Sequence, residues 1–257
     1  MGTWQHGPLA LYDVETTGVD AWRDRIVSAA IIEITPSADE RERPVVRTST
    51  WLLNPGIEIP EGAARIHGIS TEQARASGTE AAGGIYEVAQ HLIALSRAGR
   101  TVVGHNVVFD VTMLLAESIR HGHTEHAAGL QAIRPVVDTM VLDKMLDPYR
   151  KGSRRLIDTC RHYGVELSEA DAHGAQADAL AAGRLAWAIC HQRGYSIGAQ
   201  DLHDDLIKAK REQAESFGKY LIKQGRPDDV SREWPIQPAP TGWSPEQLPA
   251  AREDGAA

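Results

Sequence analysis

The amino-acid sequence predicts an α/β domain built on a mixed β-sheet flanked by helices. Two observations predict it. Three runs rich in apolar and β-branched residues come first, joined by short Gly-, Pro- and charge-containing turns, which suits an antiparallel meander. From about residue 100 onward, short apolar runs alternate with helical stretches, the pattern of βα units. In order, LALYDV (9–14), IVSAAIIEI (26–34) and TSTWLL (48–53) read as strands, followed by helical stretches at 61–66, 71–76 and 80–98. TVVGH (101–105) reads as a strand leading into a helix near Val107, and PVVDT (135–139) as another, before helical segments near 140–146, 154–163 and 175–193. Residues 201–224 form a further helix with Leu202, Leu206, Ala209, Phe217 and Leu221 near one face, to dock on the domain or to meet a partner. Beyond Gly225 the chain turns polar and proline-rich, which predicts an extended or disordered tail pinned by Trp234 and Trp243. The expected division is a domain over 1–195, an appended helix over 196–225 and a tail over 226–257.

Length and composition narrow the function. At 257 residues, 42% hydrophobic and 24% charged, the chain can bury one ordinary core, and no apolar run reaches the roughly 18 residues of a membrane span. The segment MGTWQHGPLALYD lacks the basic and long apolar regions of a secretory signal, so the expected location is the cytoplasm, away from membranes. Cys160 and Cys190 have no C-x-x-C partner and are expected as buried free thiols. A formal charge of −8 argues against coating nucleic acid through a broad basic surface. It leaves open an enzyme that grips a few nucleotides where carboxylate-held divalent ions supply the positive charge.

The acidic residues are arranged for that chemistry. Asp13 and Glu15 in YDVETTG are two apart on a strand, so both project from one face, where hard cations relieve their mutual repulsion. A solvated strand end is the plainer reading of that triplet alone. Thr16, Thr17 and Gly18 then close the strand in a tight turn whose N–H and hydroxyl groups suit a sugar or phosphate. GHNVVFD puts Asn106 at a strand end, where α/β sheets bind ligands, and Asp110 in the first turn of the next helix. Asp110 favours that helix electrostatically or binds an ion, Asn106 caps it or reaches substrate, and Phe109 is core or a base-stacking platform. HGAQAD places His173 in a loop and Asp178 early in the alanine-rich helix, and an imidazole titrating near about 6.5 suits proton abstraction at neutral pH. Asp138 stands at a strand end as a supporting group or a helix cap. Arg150, Lys151, Arg154 and Arg155 form either a phosphate-tracking cluster or a solvated run.

DVETTG, GHNVVFD and HGAQAD resemble the three motifs of the DEDDh group of 3′–5′ exonucleases, the group of the proofreading epsilon subunit of bacterial DNA polymerase III. NPGIEIPEGAARIHGIS (54–70), DTMVLDKMLDP (138–148) and LIDTCRHYGVEL (156–167) are similarly placed, so the resemblance covers about residues 7–193. It implies a ribonuclease H-like five-stranded mixed sheet. Asp13, Glu15, Asp110 and Asp178 would bind two Mg²⁺ or Mn²⁺ ions, and His173 would act as general base. Thr16, Thr17, Gly18, Asn106 and Phe109 would contact the terminal nucleotide. His67, in RIHGIS, is expected to be structural because its spacing supplies no ligand partner. The expected substrate is the 3′ end of single-stranded DNA, released as nucleoside 5′-monophosphates in proofreading, repair or turnover, within or outside a polymerase or repair complex. An exoribonuclease acting on RNA or short oligoribonucleotides is the alternative within the enzyme class. A polymerase-associated nucleic-acid-binding module without catalysis is the alternative outside it.

Overall fold

In the computed structural model, which describes residues 3–37, 39, 42–168 and 173–247, the first three runs form the expected meander. Strands β1 (Leu9–Thr16), β2 (Ile26–Thr35) and β3 (Val45–Asn54) pair antiparallel. Helices α1 (Glu61–His67) and α2 (Thr71–Ser77) follow, then β4 (Thr79–Glu80), α3 (Ala81–Arg97) and β5 (Thr101–Gly104), which pairs parallel to β1. Next come α4 (Val107–Arg120), α5 (Thr124–Gln131) and β6 (Val136–Asp138), parallel to β5. Helices α6 (Thr139–Leu146), α7 (Leu156–Tyr163), α8 (Ala175–Arg193) and α9 (Ala199–Lys223) complete the described elements.

The sheet has order β4-β3-β2-β1-β5-β6 and is mixed, with six strands rather than the five expected. The addition is β4, two residues parallel to the end of β3. It enters because residue 78 is glycine: a Cβ there would lie 2.7 Å from the Asn54 nitrogen. Helix α5 was also unexpected, since HTEHAAGLQ offers only Ala127 and Leu130 as buried apolar side chains to mark a helical period.

Alternation along β1 decides which residues meet which helix layer. Paired residues across the meander share a face, so Val14, Ala29 and Trp51 turn toward α3, whose Glu87 accepts from Trp51 Nε1 at 3.1 Å. Leu11, Asp13 and Glu15 therefore turn the other way, toward α8. There Gly183 lies against Leu11, and a Cβ on it would stand 2.6 Å from a Leu11 methyl. Buried Ala175, Ala179, Ala182 and Ala186 keep the same helix close to the sheet. Asp178 precedes Gly183 by five residues, about 7.5 Å of helix, and Leu11 precedes Asp13 by two, about 6.7 Å of strand. With Gly183 on Leu11, helix and strand run in opposite senses and bring Asp178 over Asp13.

Helix α9 buries Leu202, Leu206, Ala209 and Leu221 as its periodicity predicted, but Phe217 is exposed. Gly218 holds the inward position instead, with the Asp228 carboxylate against it where a side chain would otherwise lie. From there residues 226–247 cross the molecule without helix or strand, with turns at 241–242 and 245–246. Trp234 is buried beside His203 at 5.2 Å between rings, Gln237 N donates to Thr112 Oγ1 at 2.9 Å, and Trp243 Nε1 donates to the Trp22 carbonyl at 2.6 Å. Cys160 and Cys190 are buried free thiols, pushed up to about 12 and about 11 by burial.

The α8 approach is testable. Ala at position 183 would regain about 1 kcal/mol of helix propensity and blur the result, so the informative change is Gly183→Val. Overpacking against Leu11 should lower the unfolding free energy by about 2 kcal/mol in urea titrations.

Candidate active site

Three of the predicted acids converge. Asp13, Glu15 and Asp178 each present a carboxylate oxygen within 4.8 Å of the other two. Pairing between β1 and β2 shifts register between Glu15 and Thr16, ending the regular ladder at the site. Asp110 arrives from the first turn of α4, and its Oδ1 accepts from the Val14 N–H at 3.2 Å, which locks it against the same strand.

Crowded, poorly hydrated carboxyls resist ionisation. Burial, and then Asp178 and Asp110, push Glu15 up to about 8. Burial likewise pushes Asp110 up to about 8, against the pull of the Val14 N–H. Asp13 is raised by burial and then by Asp110, Glu15 and Asp178, while Asp178 is raised by burial with a partial offset from His173. Asp178 Oδ1 is buried with no hydrogen-bond partner among the described residues. An all-oxygen donor set, an orphaned buried oxygen and missing countercharge fit a hard divalent cation.

The remaining predicted residues divide. His173 is exposed and sits in the left-handed region at φ 71°, and its main-chain N–H donates to Asp178 Oδ2 at 3.3 Å, which ties its backbone to the acids. Asn106 also has a left-handed backbone, φ 59°, and its side chain does not cap α4. Its N–H donates instead to Asp138 Oδ1 at 3.0 Å, the same oxygen that accepts from Met140 N at 2.9 Å to cap α6. Asp138 is thus both cap and support. Phe109 is half-buried against the core. Thr16 Oγ1 donates to the Gly18 carbonyl at 2.6 Å, tying that turn.

Two expectations change. Thr17 is buried, and its hydroxyl donates to Asp24 Oδ1 at 3.1 Å and accepts from Arg25 N at 3.0 Å, so the side chain holds the β1–β2 turn rather than facing a ligand. His67 is nearer the chemistry than its spacing indicated. Its ring is half-buried beside the Thr16 main chain and His173, and burial lowers its pKa. The motif RIHGIS was the available signal, but only the folded path of α1 supplies its neighbours.

A β1-centred sheet carries this acidic cluster between α4 and α8, in an α/β fold whose grouped carboxyl oxygens could hold a metal ion. The chain belongs to the exonuclease family, whose model matches residues 11–186. A PolC-type DNA polymerase III from Lacticaseibacillus paracasei is 31% identical over 194 residues, which are 75% of this chain and 12% of that protein. DNA polymerase III subunit epsilon from Rickettsia conorii is 28% identical over 171 residues, 66% of this chain and 67% of that one. The chain thus spans only a small part of the PolC-type relatives. Among solved structures, E. coli exonuclease I in complex with a dT13 oligonucleotide aligns with a TM-score of 0.57 and 23% identity, covering 73% of this chain and 41% of that one. A second exonuclease I structure aligns with a TM-score of 0.60 at 22% identity, covering 82% and 45%. These likenesses confirm the ribonuclease H-like fold. Among the described residues, no helix is long and apolar enough to cross a membrane.

The raised carboxyls set a pH dependence. Folding raises their pKa above the unfolded value of about 4, so the folded state favours the protonated forms, and that contribution is complete below about pH 4. It is lost as pH rises through the folded values of about 8. In chelator, the melting temperature should fall between about pH 5 and about pH 8.5. Added Mg²⁺ or Mn²⁺ should raise it more at the alkaline end, where protons no longer compete, and scanning fluorimetry of both series checks this.

Proposed function

We propose that the chain is a 3′–5′ exonuclease that uses two divalent cations, Mg²⁺ or Mn²⁺, to hydrolyse the terminal phosphodiester of single-stranded DNA. The observation that carries the reading is the set of Asp13, Glu15 and Asp178 oxygens within 4.8 Å, with Asp110 anchored on the same strand. Membership of the exonuclease family supports the reaction class. DNA as substrate is supported by the DNA polymerase III names of the relatives and by the dT13 bound to one structural neighbour. The same names support work in replication or repair, and a polymerase assembly as the partner.

Asp13, Glu15, Asp110 and Asp178 would hold the cations. When bound, these supply Lewis acidity and countercharge at the phosphodiester. His173 accepts the proton of the attacking water as its oxygen bonds to phosphorus. Breaking the bond to the 3′ oxygen of the penultimate nucleotide then releases a nucleoside 5′-monophosphate. The left-handed backbone at His173 and the bond from its main-chain N–H to Asp178 Oδ2 support that role. Asn106, presented by Asp138, and Phe109, beside Asp110 on α4, are the residues suited to the terminal sugar and base. Thr16, Gly18 and the Thr17 main chain form the turn beneath them.

Product analysis tests this. End-labelled single- and double-stranded DNA and RNA, with and without Mg²⁺ or Mn²⁺, should show metal-dependent release of 5′-mononucleotides from DNA 3′ ends, fastest on single strands. Asp13→Ala should lower kcat/KM by about 10³-fold or more, as expected from losing several kcal/mol of transition-state stabilisation. His173→Ala should lower it by about 10²- to 10⁴-fold. Release from 5′ ends, or turnover that survives chelation, would refute the proposal.

A further inference from the structure

The segment between α6 and α7 is anchored like part of a site while keeping its outer side chains exposed. Fully buried Asp143 of α6 accepts from Arg150 Nη2 at 2.8 Å and Nε at 3.1 Å, from Arg154 and from Tyr163 OH at 2.9 Å. Arg154 Nη2 also donates to the Asp147 carbonyl at 2.7 Å, and Arg193 pairs with the Asp147 carboxylate. Both ends of the loop are therefore fixed by bonds that leave Tyr149, Lys151 and Arg155 outside. Tyr149 is 93% exposed, and the Arg155 side chain is 80% exposed.

The anchorage continues into the candidate active site. His105, next to Asn106, is within 2.9 Å of the Arg154 carbonyl through Nε2 and within 2.7 Å of Thr139 Oγ1 through Nδ1. One imidazole thus bridges the strand end that carries Asn106 and the loop that carries Tyr149. On the outer side lies a shallow cavity of about 450 Å³ lined by Lys151, Ser153, Arg155, Asp158, Arg161 and His162. Asp158 pairs with Arg155 at 3.2 Å and Arg161 at 3.3 Å, and Lys151 stands exposed beside them on a chain whose formal charge is −8.

We propose that residues 149–155 form a binding arm for single-stranded nucleic acid lying 5′ to the scissile bond, with Tyr149 stacking on a base and Lys151 and Arg155 meeting the phosphates. The arm rests on the exonuclease reading above and extends it to upstream nucleotides. An exposed aromatic beside cations is the combination that grips single strands without regard to sequence. The buried Asp143 pairs hold that combination in place before substrate arrives, so less ordering is required on binding.

Fluorescence anisotropy with 5′-labelled dT2, dT4, dT8 and dT12 in chelator, where hydrolysis is suppressed, tests the arm. Wild-type affinity should rise with length, and Tyr149→Ala with Lys151→Glu should flatten that rise, weakening dT12 by about tenfold. The Lys151→Glu single variant should lower the salt slope by about 0.7 or more. A melting temperature equal to wild type would show that the fold is intact, as expected for exposed side chains. Length and salt profiles identical to wild type would overturn the arm, even with metal-dependent degradation of dT12 intact. A wild-type chain that neither binds nor degrades dT12 would instead remove the exonuclease reading, and the arm with it.

Discussion

Burial of four neighbouring carboxyls, with the repulsion it sharpens among them, is the constraint around which this structure is organised. Asp13, Glu15, Asp110 and Asp178 come from β1, α4 and α8, and their pKa values are all raised. Left to themselves such groups would separate and hydrate. The fold prevents it with ordinary packing: strand alternation sets two of them side by side, the Val14 N–H fixes the third, and Gly183 on Leu11 draws α8 close enough to deliver the fourth. The stability given up in that crowding is free energy that a divalent cation would recover if bound there, as proposed.

Support for the cluster comes from residues that never reach it. Asp138 ties the Asn106 turn to the start of α6 through one oxygen, and Trp234 Nε1 approaches its other oxygen at 3.5 Å. The C-terminal segment therefore bears on the floor of the site although it lies nearly 100 positions away in sequence. Further along, Arg120 Nε donates to the Pro245 carbonyl at 3.1 Å and Trp243 packs edge-on against Trp22 at 4.8 Å. These contacts join the far end of α4 to the β1–β2 turn, so the helix carrying Asp110 is braced at both ends.

What was legible in the sequence follows from the range of each interaction. The i, i+2 relation of Asp13 and Glu15 is local to a strand, and the position of Asp178 early in α8 is local to a helix, so motif spacing carried both. The partners of the Thr17 hydroxyl, Asp24 and Arg25, were not legible because they belong to the far side of the turn. His67 was underrated for the same kind of reason, since Thr16 and His173 reach it only through the tertiary path. Phe217 followed a helical period that Gly218 interrupts, and nothing local announces that Asp228 folds back onto that glycine. The run from Arg150 to Arg155 offered four equivalent cations in sequence. Burial of Asp143 makes two of them structural and leaves the other two outside.

That division bears on how an acidic protein can hold an anionic polymer. The carboxyl cluster needs positive charge to approach a phosphodiester at all, and cations held there act only at the reacting phosphate because screening confines their field to roughly 8–10 Å. Phosphates further upstream than the nearest lie beyond that reach and meet a chain of net charge −8. An exposed arginine, lysine or tyrosine on a floppy loop would pay rotamer entropy at each encounter and would hold them weakly. Asp143 lowers the backbone part of that ordering cost between residues 147 and 155 by fixing Arg150 and Arg154 from below. Because His105 joins this loop to the turn carrying Asn106, a displacement of either must be felt by the other. On the proposed reading, grip on the strand and placement of its terminal nucleotide would be mechanically linked.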